Sequence, residues 1–406
     1  VTDSGAPRLA FLHEDPRHRG GGEAVLGRLS RLASAHGPVD LGLLFGDSGV
    51  RQAGDWPQFT RVGTFDYPQR LRWSGAAALA RNHGALRRWL RAGDVRACVA
   101  MTFATAFRAA LATAGTATPL AWLCTFSVRV QGLRKRVMRS AALRALAASG
   151  ALAVCPSVAA RDELGALGYP IDRTHVISNG VELERFAGPS LTPDERRHFH
   201  QRHGIPAGDL VALHVARLDP VKNHDVLLRA VALSARQGVR VALVCLGAAS
   251  ADHADYAGRL RQRAAVLGVA DRVLFAGRRD DVPAWLAAAD VAVLSSHTEM
   301  ASLVLLEAAA ARLPLLASRV GSAPEIVLPQ RTGYLFDPGD ADTCARHLIT
   351  LASSAAHRRA LGAEARRLAE RSFDVRDMDR RWLALFATLL GRPPARSDEP
   401  LREAVA

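Results

Sequence analysis

Residues 210–246 read LVALHVARLDPVKNHDVLLRAVALSARQGVRVALVCL, and this stretch decides the fold. Leu210 to Ala216 is a short apolar run without polar alternation, and Val239 to Leu246 is another. Runs of that length that do not alternate are strands buried on both faces. A helical pattern lies between them, and two parallel neighbours need such a crossover, so the stretch is a β–α–β unit.

The same pattern extends outward in both directions. Toward the N-terminus the strand candidates are Leu9 to Leu12, Val39 to Phe45, Arg61 to Phe65, Ala97 to Met101, Leu120 to Thr125, Leu152 to Cys155 and His175 to Ser178. After residue 246 they are Val273 to Ala276, Val291 to Ser295, Pro314 to Ser318 and Gly333 to Phe336. The chain is therefore expected to be α/β, with two doubly wound, Rossmann-like parallel-sheet domains in tandem. A polar stretch with Pro189, Pro193 and Pro206 marks the boundary. The expected division is 1–185, 186–372, a helix within 373–392, and a polar, proline-containing tail at 393–406 that is expected to be disordered. Ligands of open parallel sheets bind outside the carboxyl ends of the strands, so two such sheets facing a cleft suit a transfer reaction.

Composition agrees with this and removes other classes. The chain has 406 residues, 49% hydrophobic and 23% charged, with mean hydropathy +0.03, which supplies two cores and a charged surface. No apolar run reaches the roughly 18 residues of a membrane span. The first residues, VTDSGAPRLA, lack the basic-then-apolar layout of a secretory signal, and a cytoplasmic location is expected. The five cysteines are far apart, without CxxC, and read as reduced core thiols. The net charge of +14 is scattered along the chain, with no zinc finger or basic stripe interleaved with aromatics, so no nucleic-acid partner is expected. Residues 129–146 put basic and apolar residues at helical spacing; this is either a solvated helix face or a peripheral contact with an anionic membrane.

Among the 53 Lys and Arg residues only Lys135 and Lys222 are lysine. Lys222 follows a strand and a turn, five residues after Arg217, and the two cations at a strand's carboxyl end suit a diphosphate. In SSHTEMASLVLLEAAAARLP, Glu299 lies in a loop and Glu307 in the helix after it. A continuous helix would separate them by about 12 Å, too far for a glycoside-hydrolase pair but suited to two ends of one nucleotide-sugar. A carboxylate among apolar neighbours, Glu307 needs a donor such as a ribose diol or an arginine. Backbone amides of Ala301, Ser302, Leu303 and Val304 at the helix start are placed to meet phosphate or sugar oxygens.

Gly277 ends a strand, and the loop at Arg278 to Asp281 offers backbone groups to a base, with Asp280 or Asp281 as a helix cap. Gly20, Gly21 and Gly22 open a helix after the first strand and allow close ligand approach. GxGxxG and GxxxxGK[ST] are absent, which speaks against a nicotinamide enzyme or a P-loop NTPase. His13, at the end of the first strand, is a candidate site residue. The pairs Asp340 with Asp342 and Asp377 with Asp379 read as helix caps. The 14 histidines give no metal-ligand set.

Taken together, Arg217 with Lys222, Glu299 with Glu307, ISNGV at 177–181 followed by Phe186, and GGGE at 20–23 resemble glycosyltransferase family 4 across nearly the whole chain. The resemblance implies the GT-B fold and a retaining transferase that needs no metal or other cofactor. It implies that Arg217 and Lys222 bind the donor diphosphate, Glu307 the ribose and Glu299 the donor sugar. Gly21 and Gly22 would lie on the phosphate side, and the final helix would cross back to the first domain. Two positions depart from the family pattern: Met300 stands where many members carry glycine, and Cys124 with Thr125 stand near where many carry a histidine. Thr125 and His13 are then the candidates for the sugar or acceptor contact.

The function expected is transfer of a sugar from a nucleoside-diphosphate sugar, UDP being the commonest base in the family, to an acceptor hydroxyl. An aminoglycoside-like natural product in antibiotic biosynthesis and a glycan are both open as acceptor. The competing readings are a nucleotide-sugar 2-epimerase on the same fold and a non-catalytic nucleotide-sugar binding protein. The oligomeric state is left unread.

Overall fold

The computed structural model describes residues 7–14, 21–44, 57–65, 67, 76–125, 133–186, 191–249 and 253–393. The chain divides into two compact units. The first runs to Ser178 and regains the chain from Arg376; the second begins at Asn179 and runs to Val375.

The first unit contains, in chain order, β1 (Arg8–His13), α1 (Gly21–Ala33), β2 (Val39–Leu44), β3 (Arg61–Phe65), α2 (Ala76–Ala92), β4 (Val95–Ala100), α3 (Phe103–Thr113), β5 (Leu120–Leu123), α4 (Leu133–Ala148), β6 (Leu152–Cys155), α5 (Val158–Ala166) and β7 (Thr174–Val176). Its seven strands are ordered β3-β2-β1-β4-β5-β6-β7, all parallel. The sequence steps outward from β1 on one side and from β4 on the other, so the topological switch lies between them. Every residue of β2 is buried, including Asp40, whose carboxylate is held by Arg8 at 3.0 Å and Arg61 at 2.8 Å. A charge without solvent survives only with such partners.

The second unit contains α6 (Pro193–His203), β8 (Leu210–Val215), α7 (His224–Arg236), β9 (Val241–Leu246), α8 (Tyr256–Val266), β10 (Val273–Gly277), α9 (Val282–Ala288), β11 (Val291–Leu294), α10 (Leu303–Ala310), β12 (Leu315–Ser318), α11 (Ala323–Ile326), β13 (Gly333–Phe336), α12 (Ala341–Ser353) and α13 (Ala355–Ser372). Its six parallel strands are ordered β10-β9-β8-β11-β12-β13, with the switch between β8 and β11. One apolar cluster includes Val211, Leu213, Val244, Leu294, Leu305 and Leu315; a second includes Ala212, Leu243, Val293, Leu316 and Phe336. Neighbouring strand residues thus fall into different clusters, as the period of two requires in a sheet covered on both faces.

The last helix, α14 (Val375–Leu389), joins the first unit from Arg376 onward. Its Phe386 meets Phe11 of β1 edge-on, 6.1 Å between ring centres, and Asp379 takes a two-pronged bond from Arg28 of α1 at 2.7 and 2.5 Å. Asp379 is therefore a tether between helices, where the sequence suggested a cap. Asp340 does cap α12, accepting from the Thr343 amide at 2.9 Å.

The division between the units falls before residue 185, where the sequence reading placed it. Leu183 and Phe186 already pack in the second unit's core, and Val181 exchanges backbone bonds with the far end of that unit, its amide reaching the Phe373 carbonyl at 2.8 Å. All five cysteines are buried free thiols. Among the described residues no helix is long and apolar enough to cross a membrane. In α4, Val137 and Met138 are exposed; residues 129–132 of the basic segment and the tail from 394 lie outside the described residues.

Candidate active site

The switch point of the second unit gathers most of the residues singled out above. From β8 the chain passes Arg217 and turns at Asp219, whose side chain accepts the Val221 amide at 3.0 Å. A single 3₁₀ turn, Pro220–Lys222, follows, and Asn223 in the left-handed region (φ 49°) starts α7. From β11 the chain passes Ser295 and Ser296, makes the loop bearing Glu299, and enters α10 at Ser302, whose hydroxyl accepts the Leu305 amide.

These two loops are bonded to each other. Lys222 Nζ donates to Glu299 Oε2 at 2.6 Å, and the Ser296 hydroxyl reaches the same oxygen at 3.4 Å. Below them Ser295 Oγ donates to the Lys222 carbonyl at 2.8 Å and the His297 amide to the Val221 carbonyl at 2.8 Å. Both charged side chains keep about a fifth of their surface exposed, at 20% and 18%, so the pair is open to a ligand. A charge-assisted bond in such a place is worth more than its surface counterpart. Arg217 is held far less: its guanidinium is 55% exposed and touches Asp219 only at 3.9 Å.

The ends of the neighbouring strands complete the rim. Ser318 of β12 donates to the Ser296 carbonyl at 2.8 Å. Gly321, at φ +50°, passes so close to Glu299 that a Cβ there would lie 1.9 Å from its carbonyl oxygen. Ser322 donates its amide to the Met300 carbonyl, and its hydroxyl accepts the Ser302 amide at 3.2 Å. The Ser302 amide is therefore occupied, which corrects the expectation that it faces a ligand. Leu303 and Val304 open the helix with first-turn amides that have no acceptor within it, and Ala301 precedes them. Met300 is buried. On the other side Gly247 donates to the Gly277 carbonyl at 2.8 Å, and Gly277 has φ +71° at the end of β10. Arg278 is mostly exposed, 3.9 Å from Asp280. Asp281 sits at the cap position of α9 but bonds the Trp285 indole at 3.2 Å, so neither it nor Asp280 caps that helix.

Glu307 lies in α10, half-buried, and burial pushes its carboxyl above the usual carboxylate range while Arg185 pulls the other way. Beneath Lys222, His214 and His224 are fully buried with ring centres 4.7 Å apart. His214 Nδ1 pairs with the Val293 carbonyl at 2.8 Å, but its Nε2 and both ring nitrogens of His224 have no partner among the described residues. Burial pushes His214 down to about 4 and His224 to about 2, so both rings are neutral.

In the first unit the ends of β1, β4 and β5 meet in the same way. His13 is buried, its Nδ1 2.7 Å from the Glu14 carbonyl, and Glu14 Oε1 accepts from the Thr102 hydroxyl at 2.7 Å. Thr125 donates to the Met101 carbonyl at 3.1 Å and is itself exposed, beside buried Cys124. Gly21 and Gly22 open α1, while Gly20 lies outside the described residues. Glu14 and Thr102 went unnoticed in the sequence; their signal is position at the switch point, visible only once strand order is known. Among the described residues, no three His, Cys, Asp or Glu side chains gather as metal ligands would.

The family model described as "Glycosyl transferases group 1" matches residues 195–368, and the one described as "Glycosyltransferase Family 4" matches residues 19–185. Among curated proteins the chain is similar to the D-inositol 3-phosphate glycosyltransferase of Streptomyces avermitilis, 37% identical over 201 residues, 48% of this chain and 42% of that protein. It is also similar to the protein of that name from Xylanimonas cellulosilytica, 33% identical over 256 residues, 62% of this chain and 60% of that one. The matched part thus spans about two-fifths to three-fifths of the length of these relatives. Among solved structures it resembles HepE of Anabaena in complex with UDP, with TM-score 0.77 and 23% identity, covering 94% of this chain and 100% of that one. It likewise resembles sucrose-phosphate synthase of Thermosynechococcus elongatus, with TM-score 0.78 and 20% identity over 95% and 99%. At such identities the likeness shows the fold, two Rossmann-like parallel-sheet domains of GT-B type. With one family model on each unit, the chain belongs to glycosyltransferase family 4.

Proposed function

We propose that this protein is a retaining glycosyltransferase that moves a sugar from a UDP-sugar to an acceptor hydroxyl. The observation that carries the reading is the Lys222–Glu299 pair, joined at 2.6 Å across the switch point of the second unit. That is where an open parallel sheet binds its ligand. HepE of Anabaena, which shares the fold, was solved with UDP and with UDP-glucose, and this supports a uridine nucleotide as donor.

In this reading Lys222 and Arg217 meet the charge that develops on the departing diphosphate. The first-turn amides of α10, at the positive end of its dipole, add to that stabilisation. Glu299 holds the Lys222 ammonium in place before the donor arrives and then takes the donor sugar's hydroxyls. Glu307 accepts from the ribose diol, which supplies hydrogen bonds that no described residue gives its half-buried carboxylate. Retention follows if the acceptor hydroxyl approaches on the leaving-group face and a phosphate oxygen takes its proton. The acceptor is a polyhydroxylated molecule, whether a natural product, a glycan or a cyclitol phosphate like the one in the curated relatives' name, and it engages the His13, Glu14, Thr102 and Thr125 end of the first unit. Because the cations are side chains, the reaction runs without a metal.

The test is calorimetric titration with UDP, GDP, ADP, dTDP and their common sugars, followed by turnover of the tightest donor against these acceptor classes with and without EDTA. Saturable binding of a uridine nucleotide and EDTA-resistant transfer with retained anomeric configuration support the reading. Absence of nucleotide binding in the folded protein rejects it, and inverted product or EDTA-sensitive transfer rejects its mechanism.

A further inference from the structure

The second unit carries another cationic depression, at the opposite, amino end of its strands. It is a cavity of about 590 Å³ formed by Arg185, Phe186, Leu191 and Arg196 together with α9, the end of α10 and the start of α13. Five of its eighteen lining residues are arginine: Arg185, Arg196, Arg312, Arg358 and Arg359, about twice the share of arginine in the chain as a whole. Against them stands one carboxylate, Asp290. Its Oδ1 is shared by Arg196 at 2.9 Å and Arg358 at 3.4 Å, and its Oδ2 accepts the Val211 amide at 2.9 Å. That carboxylate is fully used, and Arg312 and Arg359 have no acidic partner among the described residues.

Arg312 has a second peculiarity. It follows the last turn of α10 in the left-handed region, φ +60°, and the Leu313 amide closes back on the Ala308 carbonyl at 3.0 Å. This is the helix-ending position where glycine is the usual residue, because a side chain there is strained. The strain is held in place by α13: Gly362 packs so closely that a Cβ on it would lie 1.9 Å from the Arg312 carbonyl oxygen. A basic residue near a helix C-terminus is favourable in itself, but that benefit does not require the one strained position. The floor between the guanidinium groups is apolar, with Phe186, Leu286 and Leu313.

We infer that this cavity is a second anion site, for a phosphate or diphosphate ester carried on a compact organic body. Guanidinium forks match phosphate oxygens two at a time, and the apolar floor accepts the body of the ester. The Lys222–Glu299 pair of the donor site lies where α10 begins and this cavity where it ends; the cavity is lined by none of Lys222, Glu299 and Glu307, although Arg185 acts on the Glu307 carboxyl from its side.

Inorganic pyrophosphate is the probe, titrated by calorimetry into Lys222→Ala, in which the donor site is weakened, and into the same protein carrying Arg312→Gly and Arg359→Gln. Arg312→Gly relieves backbone strain and Arg359 is exposed, so circular dichroism melts are expected to show a folded protein in both. The expected result is one saturable site in Lys222→Ala whose affinity falls at least tenfold in the triple variant. Loss of all binding in Lys222→Ala, or affinity unchanged by the two arginine substitutions, overturns the inference. Sedimentation with phosphatidylcholine vesicles, with and without phosphatidic acid, then separates the sources. Phosphatidate-dependent sedimentation that the arginine substitutions abolish assigns the site to a lipid headgroup. Sedimentation that they leave unchanged, with pyrophosphate binding lost, assigns it to a soluble ester.

Discussion

Lys222 Nζ and Glu299 Oε2 are 2.6 Å apart although 77 residues separate them, because β8 and β11 are neighbours on either side of the switch point. Removing either partner leaves the other charge half-buried and alone. Lys222→Ala is expected to weaken UDP binding by 10- to 100-fold, about 1.4 to 2.7 kcal/mol. Lys222→Arg should restore little of it, since a planar fork cannot reproduce a point charge against one oxygen. Calorimetry on both folded variants decides; wild-type affinity in Lys222→Ala removes the residue from the donor site.

Gly321 tests whether the Glu299 loop must sit where it does. Gly321→Ala adds a methyl 1.9 Å from the Glu299 carbonyl, whereas a Cβ on Gly339, also left-handed at φ +89°, would meet nothing within 4 Å. Gly339→Ala should cost only backbone strain, about 1 kcal/mol in a urea melt, with donor affinity unchanged. Gly321→Ala should cost more and lose at least tenfold in UDP-sugar affinity. Equal affinity losses in the two variants would falsify the link between this contact and the site.

Glu307 gives a pH-dependent prediction. Burial raises its carboxyl, so the folded protein holds that proton above the pH at which the unfolded chain releases it. Stability therefore falls as pH rises through the interval between the ordinary value of 4.5 and the raised one. Glu307→Gln removes this cost. Its melting temperature without ligand should exceed wild type at pH 8 and match it at pH 4, while UDP binding at pH 8 weakens. A variant that melts lower at pH 8 shows that the carboxylate is satisfied within the free protein.

The buried histidines act in the opposite sense to Glu307. With folded values of about 4 and about 2, His214 and His224 stay neutral where the unfolded chain takes up protons, so stability is lost as pH falls below 6.5. Between pH 7.5 and pH 5 each ring contributes a loss of about 2 kcal/mol. His224→Leu should reduce the acid loss by about that amount in urea melts at the two pH values, and it removes two unpartnered ring nitrogens. An unchanged acid limb would show that His224 is not its source.

Among the described residues the central strands, such as β2 and β9, were legible because each is a short apolar run between polar loops, a pattern that burial on both faces imposes on the residues themselves; the edge strands β3 and β7 are only partly buried and were read from the spacing around them. The pairings were not. Lys222 and Glu299 each stood out alone, by rarity and by position after a strand, but their contact depends on which strands lie side by side. The Ser302 amide read as free because its acceptor, Ser322, comes from a different loop twenty residues on. Asp379 read as a cap because local sequence cannot announce Arg28, 351 positions away. The Arg312 turn was missed for another reason: arginine is so common in this chain that one more carries no signal until its backbone is seen.

The scarcity of lysine gives Lys222 one more property. This chain has two side-chain primary amines, and one of them stands 20% exposed in the proposed diphosphate site while the arginines around it are inert to aldehydes. A phosphate-bearing aldehyde, reduced onto the protein with borohydride, would place a chromophore on that nitrogen. Protection of that nitrogen by a bound nucleotide would then report occupancy of the site optically, without any substitution at all.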